Sequence, residues 1–158
     1  MEEGGRELLV RKIRDGIVVD HITAGRALQV LRLLGLENSG LTMAIVMNVE
    51  SKKLGRKDIV KVEGFYLDVD QINKISLIAP RATINVVKDW RVVEKKRVEP
   101  PQLVEGILRC PNPTCISRKE GEPATPKFKL VSREPLEYQC IYCDTRVREE
   151  EIAKYISG

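Results

Sequence analysis

The chain's four cysteines fall in two close pairs, Cys110-Pro111-Asn112-Pro113-Thr114-Cys115 and Cys140-Ile141-Tyr142-Cys143. A Cys-x4-Cys loop and a Cys-x2-Cys loop can each aim two sulfurs at one point. The 24 residues between the pairs let the chain fold back so that four sulfurs complete a tetrahedron. Thiolates in that arrangement suit one Zn²⁺ per chain, held by Cys110, Cys115, Cys140 and Cys143. With every position filled by protein, no place remains for water or substrate, so the expected metal is structural. Two disulfides are the alternative chemistry for the same residues, and reduced thiols in a cytoplasmic chain favour the metal.

A second group of polar residues lies earlier. His21, the one histidine of the chain, follows Asp20, Lys61 and Asn85 fall on later apolar segments, and Lys95 follows the last of them. In an α+β sheet such strand segments can come together and gather polar groups at one edge, where ammonium groups meet phosphates and carboxylate or amide groups meet sugar and base. Taken singly, each has a plainer reading, Asp20-His21 as a structural pair and 52–57 as a solvated basic turn. Charge separates the two halves. Residues 1–100 hold 18 Lys/Arg against 14 Asp/Glu, whereas residues 101–158 hold 9 of each. If an anion binds, the first half is therefore the better place for it. A neutral second half, made negative by metal-bound thiolates, is a poor grip for a phosphate backbone and suits contact with protein.

Several functions are left without support. The sequence has no Walker-type glycine loop and no dinucleotide fingerprint. His21 has no plausible nucleophile partner, and the cysteines are committed elsewhere, so catalysis is not expected. No run approaches the roughly 20 apolar residues of a membrane helix, and the charged start at Met1-Glu2-Glu3 is unlike a signal peptide, which together predict the cytoplasm. A nucleic-acid-binding zinc ribbon remains the rival reading.

Two kinds of element must position these groups. Apolar runs at 8–13 and 17–22 flank Asp15-Gly16 and predict strands. Ala24, Ala27, Leu28, Leu31 and Leu34 recur at helical spacing, with Thr23 as the expected cap and Gly35 as the stop. Strands are expected at 41–49 and 58–62 around the basic turn 52–57. Asp68 and Gln71 form a capping-box signature for a second helix, which Pro80 ends, and strands follow at 82–87 and 90–93. That order predicts an α+β, ferredoxin-like sandwich, an antiparallel sheet with two helices on one face. Pro100-Pro101 marks a boundary between domains at 1–100 and 101–158. A unit as short as the second needs a staple, and a small all-β zinc-binding domain is expected there.

Read together, Gly16-Ile17-Val18-Val19-Asp20-His21-Ile22, Gly55-Arg56-Lys57-Asp58, Ala79-Pro80-Arg81-Ala82-Thr83-Ile84-Asn85, Cys110 to Ser117 and Cys140 to Cys143 resemble the regulatory chain of aspartate carbamoyltransferase over nearly the whole length. The resemblance implies a non-catalytic, allosteric subunit of pyrimidine biosynthesis. It implies CTP and ATP, with UTP as a further candidate, as nucleotides of the first domain. It also implies a zinc domain that docks on the catalytic chain and a homodimer of regulatory chains. Carried over residue by residue, the nucleotide site takes in Val10, Arg11, Lys12, Ile13, Asp20, His21, Ile59, Lys61, Asn85, Val87, Trp90, Val92 and Lys95. In that likeness Lys61 and Lys95 hold phosphates, Asp20 and His21 lie near the ribose, and residues 10–13 read the base. Arg56 and Lys57 add charge at the rim.

Overall fold

A computed structural model of the chain describes residues 12–121 and 123–156. Strict alternation builds its first sheet. In β1 (Gly16–Thr23), Ile17 and Val19 are buried on one side and Val18 and Asp20 point to the other. The strands β2 (Met43–Ser51), β3 (Gly55–Glu63), β4 (Thr83–Lys88) and β5 (Arg91–Arg97) join it in the order β2-β3-β1-β4-β5, every pair antiparallel. Helix α1 (Ala27–Leu33) links β1 to β2 and α2 (Val69–Ile78) links β3 to β4. Two split β-α-β crossovers result, the ferredoxin-like arrangement, with β5 added as an edge hairpin. Ile17, Val19, Ile22, Val60, Val62 and Ile84 share one core with Ala27, Val30, Leu31, Ile75 and Ile78, so both helices cover the same face. Each of the Ile, Val and Leu side chains among them contributes about 1.5–3 kcal/mol by leaving water, which makes aromatics dispensable here.

The helix ends follow local chemistry, with one correction. At α2, Gln71 N–H donates to the Asp68 carboxylate at 2.8 Å and Asp68 N–H donates to the Gln71 side chain at 2.9 Å, the expected capping box. At α1, Thr23 does not cap. It ends β1, its carbonyl accepts the Arg26 N–H at 3.0 Å, and the helix starts only at Ala27. The fully buried Asp58 of β3 takes over the task, accepting the N–H groups of Gly25 at 2.8 Å, Ala27 at 2.9 Å and Asn48 at 2.8 Å. One carboxylate thus fixes the start of α1 and a kink in β2, where Asn48 has φ 58° and the pairing with β3 shifts register. Gly35, at φ 70°, closes α1 in the left-handed conformation expected of a C-terminal glycine.

Strand limits also moved. The turn expected over 52–57 is shorter, because Gly55 already pairs with Ser51 and Arg56 with Glu50, so charged residues continue the ladder at its exposed end. Trp90 is not in a strand. Asp89 and Trp90, at φ 50° and 71°, form a two-residue hairpin turn before β5, which runs on to Arg97. Of the strand expected at 8–13, residues 8–11 lie outside the described residues and 12–13 are in no strand.

The second sheet has the order β6-β7-β8-β9, from β6 (Leu103–Glu105), β7 (Lys127–Arg133), β8 (Leu136–Cys140) and β9 (Arg146–Arg148). A four-residue helix, α3 (Glu149–Ile152), follows it. Val104, Leu108, Phe128, Leu136, Tyr138, Val147 and Ile152 form its core, and Leu77 of α2 belongs to this core rather than to the first. Ile156 packs against both and bridges to Leu108.

Replacing Asp58 by Ala leaves three amide groups without their buried acceptor, so chemical denaturation of Asp58→Ala should show a loss of about 3 kcal/mol. A midpoint within error of the parent chain would remove Asp58 from this role.

Candidate metal centre and polar sheet face

The metal centre is built from two loops and one strand end. Cys140 closes β8, and the chain turns through Ile141 and Tyr142 to Cys143, with the Asp144 N–H returned to the Cys140 carbonyl at 3.0 Å and Asp144 at φ 63°. Cys110 and Cys115 flank the turn closed by Cys115 N–H on the Asn112 carbonyl at 3.1 Å. The four Sγ atoms all lie within 4.8 Å of one another, with Cys110 to Cys143 at 3.5 Å and Cys115 to Cys140 at 3.7 Å. A disulfide needs about 2.05 Å, so none is present among them. Four sulfurs each about 2.3 Å from one ion would stand about 3.8 Å apart, which these distances meet. The four cysteines therefore form a metal-binding cluster, buried except for the partly exposed Cys143.

Their protonation fits the same use. Burial pushes the Cys110 and Cys140 thiols up, while Cys143 is drawn down to about 6. Burial opposes that fall too, but the Thr145 hydroxyl and amide, with Asn112 and Cys110, outweigh it at Cys143. An entering cation displaces thiol protons from such a cluster, so metal binding is linked to pH. Ser117 Oγ at 3.1 Å from Cys115 Sγ and Thr145 Oγ1 at 3.1 Å from Cys143 Sγ orient two of the ligands.

The polar residues of the first half lie on the sheet face opposite the helices. Cross-strand pairing sets Lys61 beside Val18, Val18 beside Asn85, and Asn85 beside Lys95. Four strands in register separate the two lysine backbones by about 14 Å, so long side chains can converge over Val18 and Asn85. Ile59 and Val87 share this face by alternation, and Val92 by its pairing with Val87. Lys61 is only 2% exposed although it is a lysine on a sheet. One row along, Asp20 pairs with Thr83. His21, at φ 56°, occupies the bulge where the β1–β3 register shifts between Val19 and Ile22. Of the other expected site residues, Ile13 is buried, Lys12 is exposed, and Trp90 sits 58% exposed at the hairpin tip, its N–H on the Arg14 carbonyl at 2.9 Å. Val10 and Arg11 lie outside the described residues.

Electrostatics make this corner positive. Lys57 Nζ lies 2.9 Å from the Asp20 carboxylate, which also accepts the His21 N–H at 2.6 Å. Burial raises the Asp20 carboxyl, but Lys57, the His21 amide and the His21 ring prevail and hold it below its ordinary range. His21 is displaced downward by burial and by Lys57, Lys53 and Lys95, against the opposing pull of Asp20. Its Nδ1 is 3.0 Å from Thr83 Oγ1. Sequence reasoning left Lys57 at the rim and missed Thr83. The period-two series 83, 85, 87 would have found Thr83, whereas nothing local announces the Lys57–Asp20 pair.

Two family models match the chain. The family model for the allosteric domain of the aspartate carbamoyltransferase regulatory chain matches residues 8–99, and the model for that chain's metal-binding domain matches residues 102–153. The chain is similar to curated aspartate carbamoyltransferase regulatory chains. It is 58% identical to that of Hyperthermus butylicus over 98% of both chains. It is 59% identical to that of Thermofilum pendens over 96% of this chain and 94% of the relative. With that of Staphylothermus marinus it shares 58% identity over 96% and 93%.

Because the chain has a single histidine, its ring proton signal can be followed without assignment. It should titrate below the ordinary value near 6.5, and Lys57→Ala should move it upward, since a repelling cation leaves and Asp20 is freed. The sign follows: a depressed folded value means that stability from neutral His21 is present above about pH 6.5 and is lost as pH falls through the lower folded value. An NMR titration with His21 at or above the ordinary value would contradict the described surroundings.

Proposed function

The chain belongs to the aspartate carbamoyltransferase regulatory-chain family, and we propose that it binds CTP and ATP on the polar sheet face and passes their effect to the catalytic chain through a zinc-held docking domain. It is the regulatory, non-catalytic subunit, and no catalytic group is assigned to it. The domains of this reading are 1–100, for the nucleotide, and 101–158, for zinc and the catalytic chain. The single observation that carries the nucleotide site is the cross-strand row Lys61, Val18, Asn85, Lys95, which puts two cations and an amide on one face.

In this proposal the triphosphate lies between Lys61 and Lys95, with Lys57 and Lys53 adding positive potential. Asp20 and His21 meet the ribose. Val10, Arg11, Lys12 and Ile13 meet the base, with Ile59, Val87, Trp90 and Val92 as apolar surroundings. Asn85 offers both a donor and an acceptor. UTP, sharing the triphosphate, is a further ligand of the same chemistry. Cys110, Cys115, Cys140 and Cys143 hold one Zn²⁺, which supplies a cross-link and no catalysis. The apolar side chains beside the cage, Ile116, Ile141 and Tyr142, are exposed and suit contact with the catalytic chain. A regulatory homodimer in the cytoplasm completes the assembly, and its output is feedback control of pyrimidine synthesis. The nucleotide acts by binding the two global arrangements of that assembly unequally, a coupling of about 1–3 kcal/mol per site.

Lys95→Ala should weaken CTP and ATP alike, by about 10–100-fold, since a charge-assisted contact to phosphate is lost from both. Calorimetry with unchanged affinity for either nucleotide would remove Lys95 from the phosphate site. Chelation of the metal should abolish co-elution with the catalytic chain while the His21 ring signal keeps its folded position, because the first core is made without the cysteines. Continued assembly after complete metal removal would overturn the docking role.

A further inference from the structure

Arg81 joins the two sheets by ion pairs that the effector reading does not assign. It stands between Pro80, which follows α2, and β4, whose Thr83 and Asn85 lie on the polar face. Its Nε lies 2.9 Å from Glu134 Oε1, and its Nη1 and Nη2 lie 2.9 Å and 3.4 Å from the two oxygens of Glu149. Glu149 Oε1 also accepts the N–H of Leu136 at 2.8 Å. Leu136 opens β8, the strand that ends in the metal ligand Cys140. The side chains of Arg81 and Glu149 are 25% and 17% exposed, so this two-pronged pair is shielded beyond an ordinary surface contact. Burial raises the Glu149 carboxyl, and Arg81 with the Leu136 amide more than reverses this, leaving it below its ordinary range.

Side-chain contacts and the backbone of residues 81–83 together link one site to the other. His21 Nδ1 meets Thr83 Oγ1 at 3.0 Å, Arg81 is two residues before Thr83, and Glu149 with Leu136 carries the path into β8. Beside it, Leu77 sits in the second core and Ile156 touches both cores. Those apolar contacts hold the units together but have no preferred direction, so small slides cost them little. A guanidinium fork on a carboxylate has fixed geometry, and a shift at the start of β4 changes it at once. We propose that Arg81, through Glu149, is the positioning residue that hands the state of the polar sheet face to the metal-binding unit. This rests on the effector reading given above.

The test uses the regulatory chain assembled with its catalytic chain. Arg81→Met keeps the length of the side chain and removes the fork, and Glu149→Gln keeps the shape and removes the charge. In each, the shift that CTP or ATP causes in substrate half-saturation, about 5–150-fold where such coupling operates, should fall below about twofold. CTP affinity should stay within about twofold of the parent, assembly should be complete, and the double variant should lose no more than either single one. An undiminished nucleotide response in Arg81→Met overturns the proposal. So does a matching loss of CTP affinity, which would make Arg81 a binding residue, and so does failure to assemble, which would make it a docking residue. If the parent assembly itself ignores both nucleotides, the effector reading is what fails. The mechanical tie is then judged by hydrogen exchange at the Leu136 amide, expected to rise about tenfold in Arg81→Met, with unchanged exchange counting against it.

Discussion

Four sulfurs drawn to one point are the constraint on which the second half of the molecule depends. Its strands are short, β6 and β9 having three residues each, and its loops carry most of its prolines. Such a unit cannot bury enough apolar surface to hold itself, so a cross-link must supply what packing does not. The cage also decides what the unit presents. Closing the Cys140–Cys143 turn leaves Ile141 and Tyr142 exposed within it, and Ile116, which follows Cys115, is exposed as well. These are the apolar side chains proposed above to meet the catalytic chain. Tyr138 then ties the cage's strand to the connection between the sheets, its buried hydroxyl donating to the Pro101 carbonyl at 2.6 Å.

The first half solves a different problem, that of keeping lysines and an aspartate on a sheet without losing its core. Helices cover one face with aliphatic side chains, which frees the other face for polar work. The bulge at His21 serves this division. Without the extra residue, alternation from Ile17 and Val19 would send His21 into the core and Ile22 to the polar side. With it, Ile22 is buried under the helices and His21 stays with Asp20 near Thr83. A histidine held at φ 56° costs backbone strain, and Asp20 offsets part of that by accepting its amide.

Much of this was legible from residue order, and the exceptions share one cause. The cysteine pairs, the capping box at Asp68 and the terminal Gly35 are local signals, and each appears where spacing puts it. The apolar runs at 17–22, 58–62 and 82–87, with two helices between them, pointed to the ferredoxin-like sheet, whereas the common face of Lys61 and Asn85 came only with the cross-strand register. Thr23 failed as a cap because Asp58, 35 residues later, reaches the same amides from another strand. Trp90 was read as the start of the last strand, while the turn there is set by Asp89 and by contacts to Arg14 and Asp15. Lys57–Asp20 and Arg81–Glu149 are likewise pairs between distant segments, and a single sequence carries no mark of them.

The position of Arg81 gives the two-unit design its consequence. If the sheets met only through Leu77 and Ile156, a nucleotide could tighten the first without the second registering it. An oriented contact at the origin of β4 changes that, since β4 also carries the groups proposed to touch the ligand. On that reading, ligand binding and metal-unit orientation are two demands on one strand, and the chain cannot satisfy a new arrangement of one without moving the other. Linkage then requires the converse. A catalytic partner that prefers one orientation of the metal unit must alter nucleotide affinity by the same factor. Reciprocity of this sort needs no long wire of special residues. It needs a strand start that touches both units, and here Thr83 meets His21 while Arg81 meets Glu149.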